Sequence, residues 1–435
     1  MDNVKITTHD FGDIHLHLWK TDQFKTTSIM LKINSALSEE TVTARALIPE
    51  ILQSGTTDYP NRTMIKQKLD DMYGAVLMTD IQKNGDQHVI TFRIDVASER
   101  FLLNKVSLLQ EALLLLHKIV TDPCLENGVF VGEIVEQEKR ALRQRIQSIY
   151  DNKMAYAAMR MTEELFTEEM YRLPEYGRVE DLDVLGPNDI YHVYKQMIQH
   201  DRMDLFIVGS FNEDSTQEIV SSLYGGKRFV QEQQIVRTWK KPVEEKVVFD
   251  RKEVKQGELC IGYRTYTTFL DDDYIAMRVA NCIFGGSPSS KLFMNVREKH
   301  SLAYFVGSKL EAHKGVLTMT AGIELDTYDQ TVDIMKKQVD AMQQGDFTER
   351  DLEQAKGWLI NQLYGSINTP LGVIELAYPE IVEKRRLSVI DRVKKMSSVT
   401  KQDVIRAANR WELDTIYFLT GGGEQNEEAG LCTIR

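Results

Sequence analysis

The chain has 435 residues, 42% of them hydrophobic and 27% charged, with a formal net charge of −12. That length exceeds one ordinary core and predicts two domains of roughly 200 residues each. The acidic balance argues against nucleic-acid binding, which calls for a basic face, but is compatible with a local basic groove for an acidic or extended ligand.

The opening segment, MDNVKITTHDFGDIHLHLWK, mixes charges with alternating apolar residues and contains no apolar signal core. The longest leucine run, Leu113 to Leu116, is far short of a membrane span. Cys124, Cys260, Cys282 and Cys432 are scattered without a CxxC pair, the pattern of reduced, buried thiols in a cytoplasmic protein. His15 and His17 share one strand face at period two, a spacing compatible with metal, but no full ligand set is apparent around them, so a strand surface is expected.

Next come the strand TTSIMLKINS and the stretch ALIPEILQSGTTDYP, residues 46 to 60. The latter has a helix-like apolar pattern ahead of Gly55, interrupted by Pro49, which lacks a backbone donor and disfavours helix continuity. HVITFRIDV alternates, placing Ile90, Phe92, Ile94 and Val96 on one face of a strand. An amphipathic helix then stops near Pro123. Long helical patterns follow, then a helix, turn and strand in DIYHVYKQMIQHDRMDLFIVG.

The polar run from Gly225 to Gln256 predicts a connector at residues 226–246, dividing a first domain, 1–225, from a second, 247–435. The second half opens with the strand GELCIGYRTYTT and a helix containing YIAMRVANCIFGG. In FGGSPSSKLFMNVREKHSLAYFVGSKLEAHKG, two glycines make a tight turn, Ser287 is the expected N-cap, Pro288 the first helical residue, and the helix runs to about Lys299. GGSPSSK lacks the order of a phosphate-binding loop and reads as turn plus cap. Thr348 and Asp351 have N-cap and N3 spacing, a weaker relative of the capping box.

Three pieces recur in the same order in both halves. TTSIMLKINS is echoed by GELCIGYRTYTT, VEQEKRAL by LEQAKGWL, and DIYHVYKQMIQHDRMDLFIVG by DVIRAANRWELDTIYFLTG. Each half therefore reads as strands mixed with helices covering one face, and the expected fold class is α+β, with two homologous domains whose mixed, largely antiparallel sheets are covered by helices.

The stretch from Phe284 to Gly315, with its Gly-Gly turn, the Arg297-Glu298-Lys299 helix end and the Leu302-Ala303-Tyr304 strand, resembles the C-terminal half of the insulinase/pitrilysin superfamily of zinc peptidases, the inverzincins. The duplicated halves extend the resemblance over essentially the whole chain. It implies a clamshell of two homologous halves, often with a second chain closing an internal chamber. Active members carry H-x-x-E-H on a helix before a Gly-Thr turn, where two histidines bind zinc and the glutamate activates its water. Aligning Ser54-Gly55-Thr56 with that turn places Ala46, Pro49 and Glu50 at the His, Glu and His positions. The third ligand, a glutamate on a later helix, falls in ALRQRI, where Gln144 and Arg145 stand. A catalytic zinc needs about three protein ligands, so neither metal nor another cofactor is expected here.

The resemblance assigns Arg297 and Tyr304 a different part. In the family this pair faces the zinc site, binds substrate backbone and stabilises charge developing on the attacked carbonyl. Some bacterial members divide the motifs between two chains. The expectation is thus a non-catalytic subunit that supplies Arg297 and Tyr304 in trans to a homologous zinc-bearing peptidase subunit acting on a peptide or protein, with no nucleic-acid or membrane partner. The rival expectation is a peptide-binding or scaffolding protein with no part in catalysis. An autonomous peptidase with an unrecognised site ranks last.

Overall fold

The computed structural model describes residues 6–12, 14–102, 107–226, 244–384 and 387–422. In chain order the elements of the first half are β1 (Thr7–Phe11), β2 (Ile14–Lys20), β3 (Thr26–Ala36), α1 (Val42–Leu52), α2 (Arg62–Asp71), β4 (Val76–Asn84), β5 (Gln87–Ala97), α3 (Leu108–Thr121), the short β6 (Leu125–Glu126) and β7 (Val129–Phe130), α4 (Gly132–Asp151), α5 (Lys153–Leu165), α6 (Asp181–Val184), α7 (Pro187–His200), β8 (Arg202–Gly209) and α8 (Glu213–Tyr224). The second half contains β9 (Lys246–Lys252), β10 (Gly257–Arg264), α9 (Tyr274–Phe284), a π-helix (Phe293–Lys299), β11 (Ala303–Glu311), β12 (Val316–Ile323), α10 (Tyr328–Gln344), α11 (Glu349–Ser366), α12 (Pro370–Val382), α13 (Val389–Ser398), α14 (Lys401–Ala408) and β13 (Glu412–Gly421). Most of the expected connector, and Cys432, lie outside the described residues. Cys124, Cys260 and Cys282 are free thiols, and no helix among the described residues is long and apolar enough to cross a membrane.

The strand order of the larger sheet is β1-β2-β8-β3-β5-β4, and that of the second is β11-β12-β10-β13-β9. From β4 to β2 and from β11 to β9 the two orders correspond step by step. In both, the last pairing, β8 with β2 and β13 with β9, is parallel while the others are antiparallel. The recurrent sequences fall on corresponding elements: β3 and β10, α4 and α11, and α7–β8 and α14–β13. The fold is α+β with mixed, largely antiparallel sheets, as the alternating strand patterns predict.

The chain forms two compact units that are not contiguous in sequence. Unit 1 comprises residues 1–148, 168–238 and 360–395, and unit 2 comprises residues 149–167, 239–359 and 396–435. The helix α5 of the first half thus packs in unit 2, and α12 of the second half packs in unit 1.

In unit 1 the alternation of β3 and β5 puts Ile29, Leu31, Ile33, Ile90, Phe92, Ile94 and Val96 into a fully buried layer with residues of α1, α3 and α7. Each such side chain contributes roughly 1.5–3 kcal/mol of burial. The opposite face is covered by α12, through Val373, Ile374, Tyr378 and Ile381 against Trp19, Met30, Val89 and Phe206. In its midst lies Lys32 of β3, fully buried, its Nζ 2.8 Å from Glu375 Oε1 of α12 and 4.8 Å from the centre of the Tyr378 ring.

In unit 2, α5 lies on β10 and β13. A Cβ on Gly262 would come within 2.5 Å of Met161 Cε and 2.7 Å of a Leu165 methyl, so a larger residue there would displace both side chains of the helix. Arg264 Nη2 donates to the last carbonyl of α5, Leu165 O, at 2.8 Å, while its Nε donates to Asp414 Oδ2 at 2.7 Å. The hydroxyls of Tyr156 and Tyr417 both donate to Asp250 Oδ2, at 2.9 and 2.7 Å.

Several local expectations change. The helix α1 continues through Pro49; its ring lies inside the last turns, and Gln53 N still donates to Pro49 O at 3.2 Å. Ser287 does not cap the next helix: its Oγ donates to Cys282 O, at the end of α9, at 3.0 Å. Helical structure resumes only at Lys291, with Ser290 Oγ accepting from Phe293 N at 3.4 Å, so Pro288 lies in the turn and not at a first helical position. Thr348 and Asp351 form a full reciprocal cap, with Thr348 N donating to Asp351 Oδ2 at 2.8 Å and Asp351 N to Thr348 Oγ1 at 3.2 Å.

His17 is not on a strand surface but buried. Its Nε2 is 2.9 Å from Asp204 Oδ1 and its Nδ1 3.0 Å from Thr8 Oγ1; since a carboxylate accepts at Nε2, that nitrogen carries the proton. Burial holds the imidazole below its usual range. For Asp204, burial alone would raise the carboxyl, but hydrogen bonds from Arg202 and His17 bring it down to about 2. A carboxyl depressed on folding stabilises above its unfolded value and loses that contribution as pH falls through the folded one. Asp204→Asn should therefore flatten the stability loss between about pH 4 and pH 2, a difference of about 2 kcal/mol. Denaturant melts at several pH values check this.

Candidate functional site

The frame of a metal-binding helix is present in unit 1, filled with other chemistry. Ala46 and Pro49 are buried in α1 and present a methyl group and a ring. Glu50, half-buried on the next position, reaches toward the edge strand β4, where Thr79 Oγ1 donates to its Oε1 at 3.3 Å. Gln53 Nε2 stands 3.5 Å from Oε2. On α4, Gln144 is exposed, whereas Arg145 turns to Glu50, Nη2 to Oε1 3.7 Å, with its guanidinium carbon 5.4 Å from the Tyr176 ring centre.

Two further residues enter. Arg62, the first residue of α2, directs Nη2 to Glu138 Oε1 at 3.1 Å, to Glu50 O at 3.1 Å and to Glu50 Oε2 at 3.5 Å. Glu138 lies on α4, about two turns before Arg145, and is buried. Burial pushes its carboxyl up, the Arg62 charge pulls it down, and the Glu50 charge pushes it up again. The alternating charges of Glu50, Arg62, Glu138 and Arg145 thus form one cluster.

This donor set does not fit zinc. A catalytic site needs about three nitrogen, sulfur or carboxylate ligands close to 2 Å from the ion. Here the positions hold a methyl, a proline ring, a carboxylate already facing two guanidinium groups, an exposed amide and an arginine. Among the described residues no group of three or more His, Cys, Asp or Glu side chains is placed to hold a metal ion. His15, the other metal-compatible histidine, has its Nδ1 2.6 Å from Asp10 Oδ1.

Sequence reasoning did not single out Arg62 and Glu138. One signal for Glu138 was present. Matching VEQEKRAL with LEQAKGWL sets Glu138 against Ala355, itself buried, so the repeat marks an inward helix position where the first copy alone carries charge. Arg62 has no such signal, because the α1–α2 loop alone brings it beside α4.

In unit 2 the Gly285-Gly286 turn sits against β11. Gly285 O accepts from Ser308 N at 3.0 Å, and a Cβ on Gly285 would fall 2.5 Å from Ser308 Oγ. The π-helix, anchored by buried Leu292 and Val296, ends with Arg297 half exposed, its guanidinium carbon 5.0 Å from the Phe293 ring centre. Ser301, at φ 52° in the left-handed region, turns the chain into β11. Tyr304 is 63% exposed, and its hydroxyl donates to Glu324 Oε1 at 2.6 Å, the contact that raises its pKa. The β11–β12 register shifts between Ala303 and Phe305, so Tyr304 is the extra residue of a bulge on an edge strand, a device that re-aims a side chain. Arg297 and Tyr304 are thus carried on consecutive elements, both presented to solvent.

A relative described as "Probable inactive metalloprotease YmfF", from Bacillus subtilis strain 168, is 38% identical over 414 residues, 94% of this chain and 96% of that protein. This chain belongs to the M16 peptidase family. The family description "Peptidase M16 inactive domain" matches residues 185–358. A crystal structure of a conserved protein from Enterococcus faecalis V583 superimposes with a TM-score of 0.90 at 27% identity, covering 97% of this chain and all (100%) of that one. A protease from Helicobacter pylori shares the fold, with a TM-score of 0.81 at 14% identity over 96% of this chain and 99% of that one. As an M16 member this chain is an inactive peptidase homologue, consistent with the donor chemistry around Glu50.

Proposed function

We propose that this chain is the non-catalytic subunit of a two-chain zinc peptidase. It pairs with a homologous subunit that carries intact zinc ligands, helps shape the peptide chamber, and supplies Arg297 and Tyr304 in trans. One contrast carries the reading: the side chains around Glu50 are spent on one another, while Arg297 and Tyr304 stand exposed. A guanidinium and a phenol carried on consecutive elements are the kinds of donor that suit a substrate carbonyl as its oxygen gains negative charge. The strands β4 and β11 stand at sheet edges, the element to which an extended peptide adds a strand.

A scaffolding role is the second reading, and one observation favours it. The Tyr304 hydroxyl is already committed to Glu324, as it would be in a tyrosine with a structural task only. Mixing the purified chain with a zinc-bearing homologue separates the two readings. Peptide turnover by the mixture above that of the homologue alone is the expected result. A complex that forms yet turns over peptide no faster than the homologue would establish scaffolding instead.

A further inference from the structure

We infer that Arg62 is the resident cation of the former metal frame, a guanidinium that ties α1 and α4 together where no divalent ion can. The observation is the convergence on one atom. Arg62 Nη2 lies 3.1 Å from Glu138 Oε1, 3.1 Å from the Glu50 carbonyl oxygen and 3.5 Å from Glu50 Oε2. The oxygens belong to α1 and α4, and the nitrogen to α2, so one positive group closes three helices. Glu138 is only 3% exposed. An ionised carboxylate so buried needs a hydrogen-bonded opposite charge, and Arg62 is the cation within bonding distance of it. Arg145 approaches Glu50 from the other side, at 3.7 Å, and completes the neutralisation of the pair.

The charge of Arg62, more than its bulk, should therefore decide stability. A metal-dependent helix pair loosens when its ion is removed; this one carries its cation on the chain and should be indifferent to chelators.

The test compares the full-length chain with Arg62→Ala, Arg62→Gln, Glu138→Gln and the double variant Arg62→Ala/Glu138→Gln by thermal unfolding, in EDTA and in added zinc. Arg62→Ala should lower the midpoint by roughly 3 °C, and Arg62→Gln, which keeps a donor without the charge, should fall as far. Adding Glu138→Gln to Arg62→Ala should recover part of the loss, because the amide removes the uncompensated charge. Wild type should melt at the same temperature in zinc and in EDTA. A double variant that melts at or below Arg62→Ala overturns the assignment, since Arg62 would then act by packing. A zinc-dependent rise of the wild-type midpoint overturns it as well, and Glu138→Gln, which leaves the arginine in place, keeps the comparison readable should Arg62→Ala fail to fold.

Discussion

Replacing Arg297 with alanine is expected to lower peptide turnover by the mixed two-chain assembly about 100-fold, with its formation unchanged. The size follows from what such a group does. A donor aimed at an oxygen that becomes negative only in the transition state has little to bind in the ground state, so its loss falls mainly on kcat. Arg297 is suited to the task because its planar guanidinium presents a fork of donors and is half exposed. Its neighbour Phe293, one helical turn back, limits where the side chain can swing. Tyr304→Phe, which removes one hydroxyl and leaves the ring, should cost about tenfold. The hydrogen bond to Glu324 raises the phenol's pKa and keeps it protonated near neutrality, so the two losses should not vary with pH there. Steady-state kinetics with size-exclusion of the same mixtures provide the check. If both variants assemble and turn over peptide at the wild-type rate, the pair has no catalytic task and the scaffolding reading stands.

Much of the architecture could be read from the sequence because it rests on local periodicity. Ile90, Phe92, Ile94 and Val96 alternate and are all buried, and the three recurrent segments fall on matching elements of the two sheets. The cap at Thr348 is local as well, set by residues three apart. What escaped depends on long-range packing. The partner of His17 is Asp204, 187 residues further on, and no spacing rule connects them. The assignment of α5 to unit 2 and α12 to unit 1 is equally invisible, since amphipathicity shows that a helix buries one face and not which sheet receives it. At the degenerate site the loss of ligands at Ala46, Pro49 and Gln144 was legible from residue type. The replacement by Arg62 and Glu138 was not, because it is made by a loop and two helices meeting in space. Ser287 followed the most favourable local rule for a cap and was captured by the preceding helix end instead.

The docking of α12 on the first sheet supplies the largest expected stability effect. Glu375→Ala should destabilise the chain by about 2 kcal/mol, whereas Lys32→Met should be close to neutral. The asymmetry comes from desolvation. Lys32 is fully buried in β3, while the Glu375 side chain is 40% exposed. Removing the glutamate leaves an ammonium in the sheet with the face of Tyr378 as its remaining partner, and a quadrupole compensates a buried charge only in part. Removing the lysine instead leaves a carboxylate that water can reach, and methionine keeps an unbranched apolar chain beside the Tyr378 ring. Full burial of both groups would place the cost of breaking the pair at roughly 3–5 kcal/mol; the exposure of Glu375 lowers it. The double variant Lys32→Met/Glu375→Ala should recover most of what Glu375→Ala loses. Urea unfolding, followed together with hydrogen exchange of β3 amides, measures both quantities. A Lys32→Met variant as unstable as Glu375→Ala would mean that the ion pair itself, and not the stranded charge, holds α12 on the sheet.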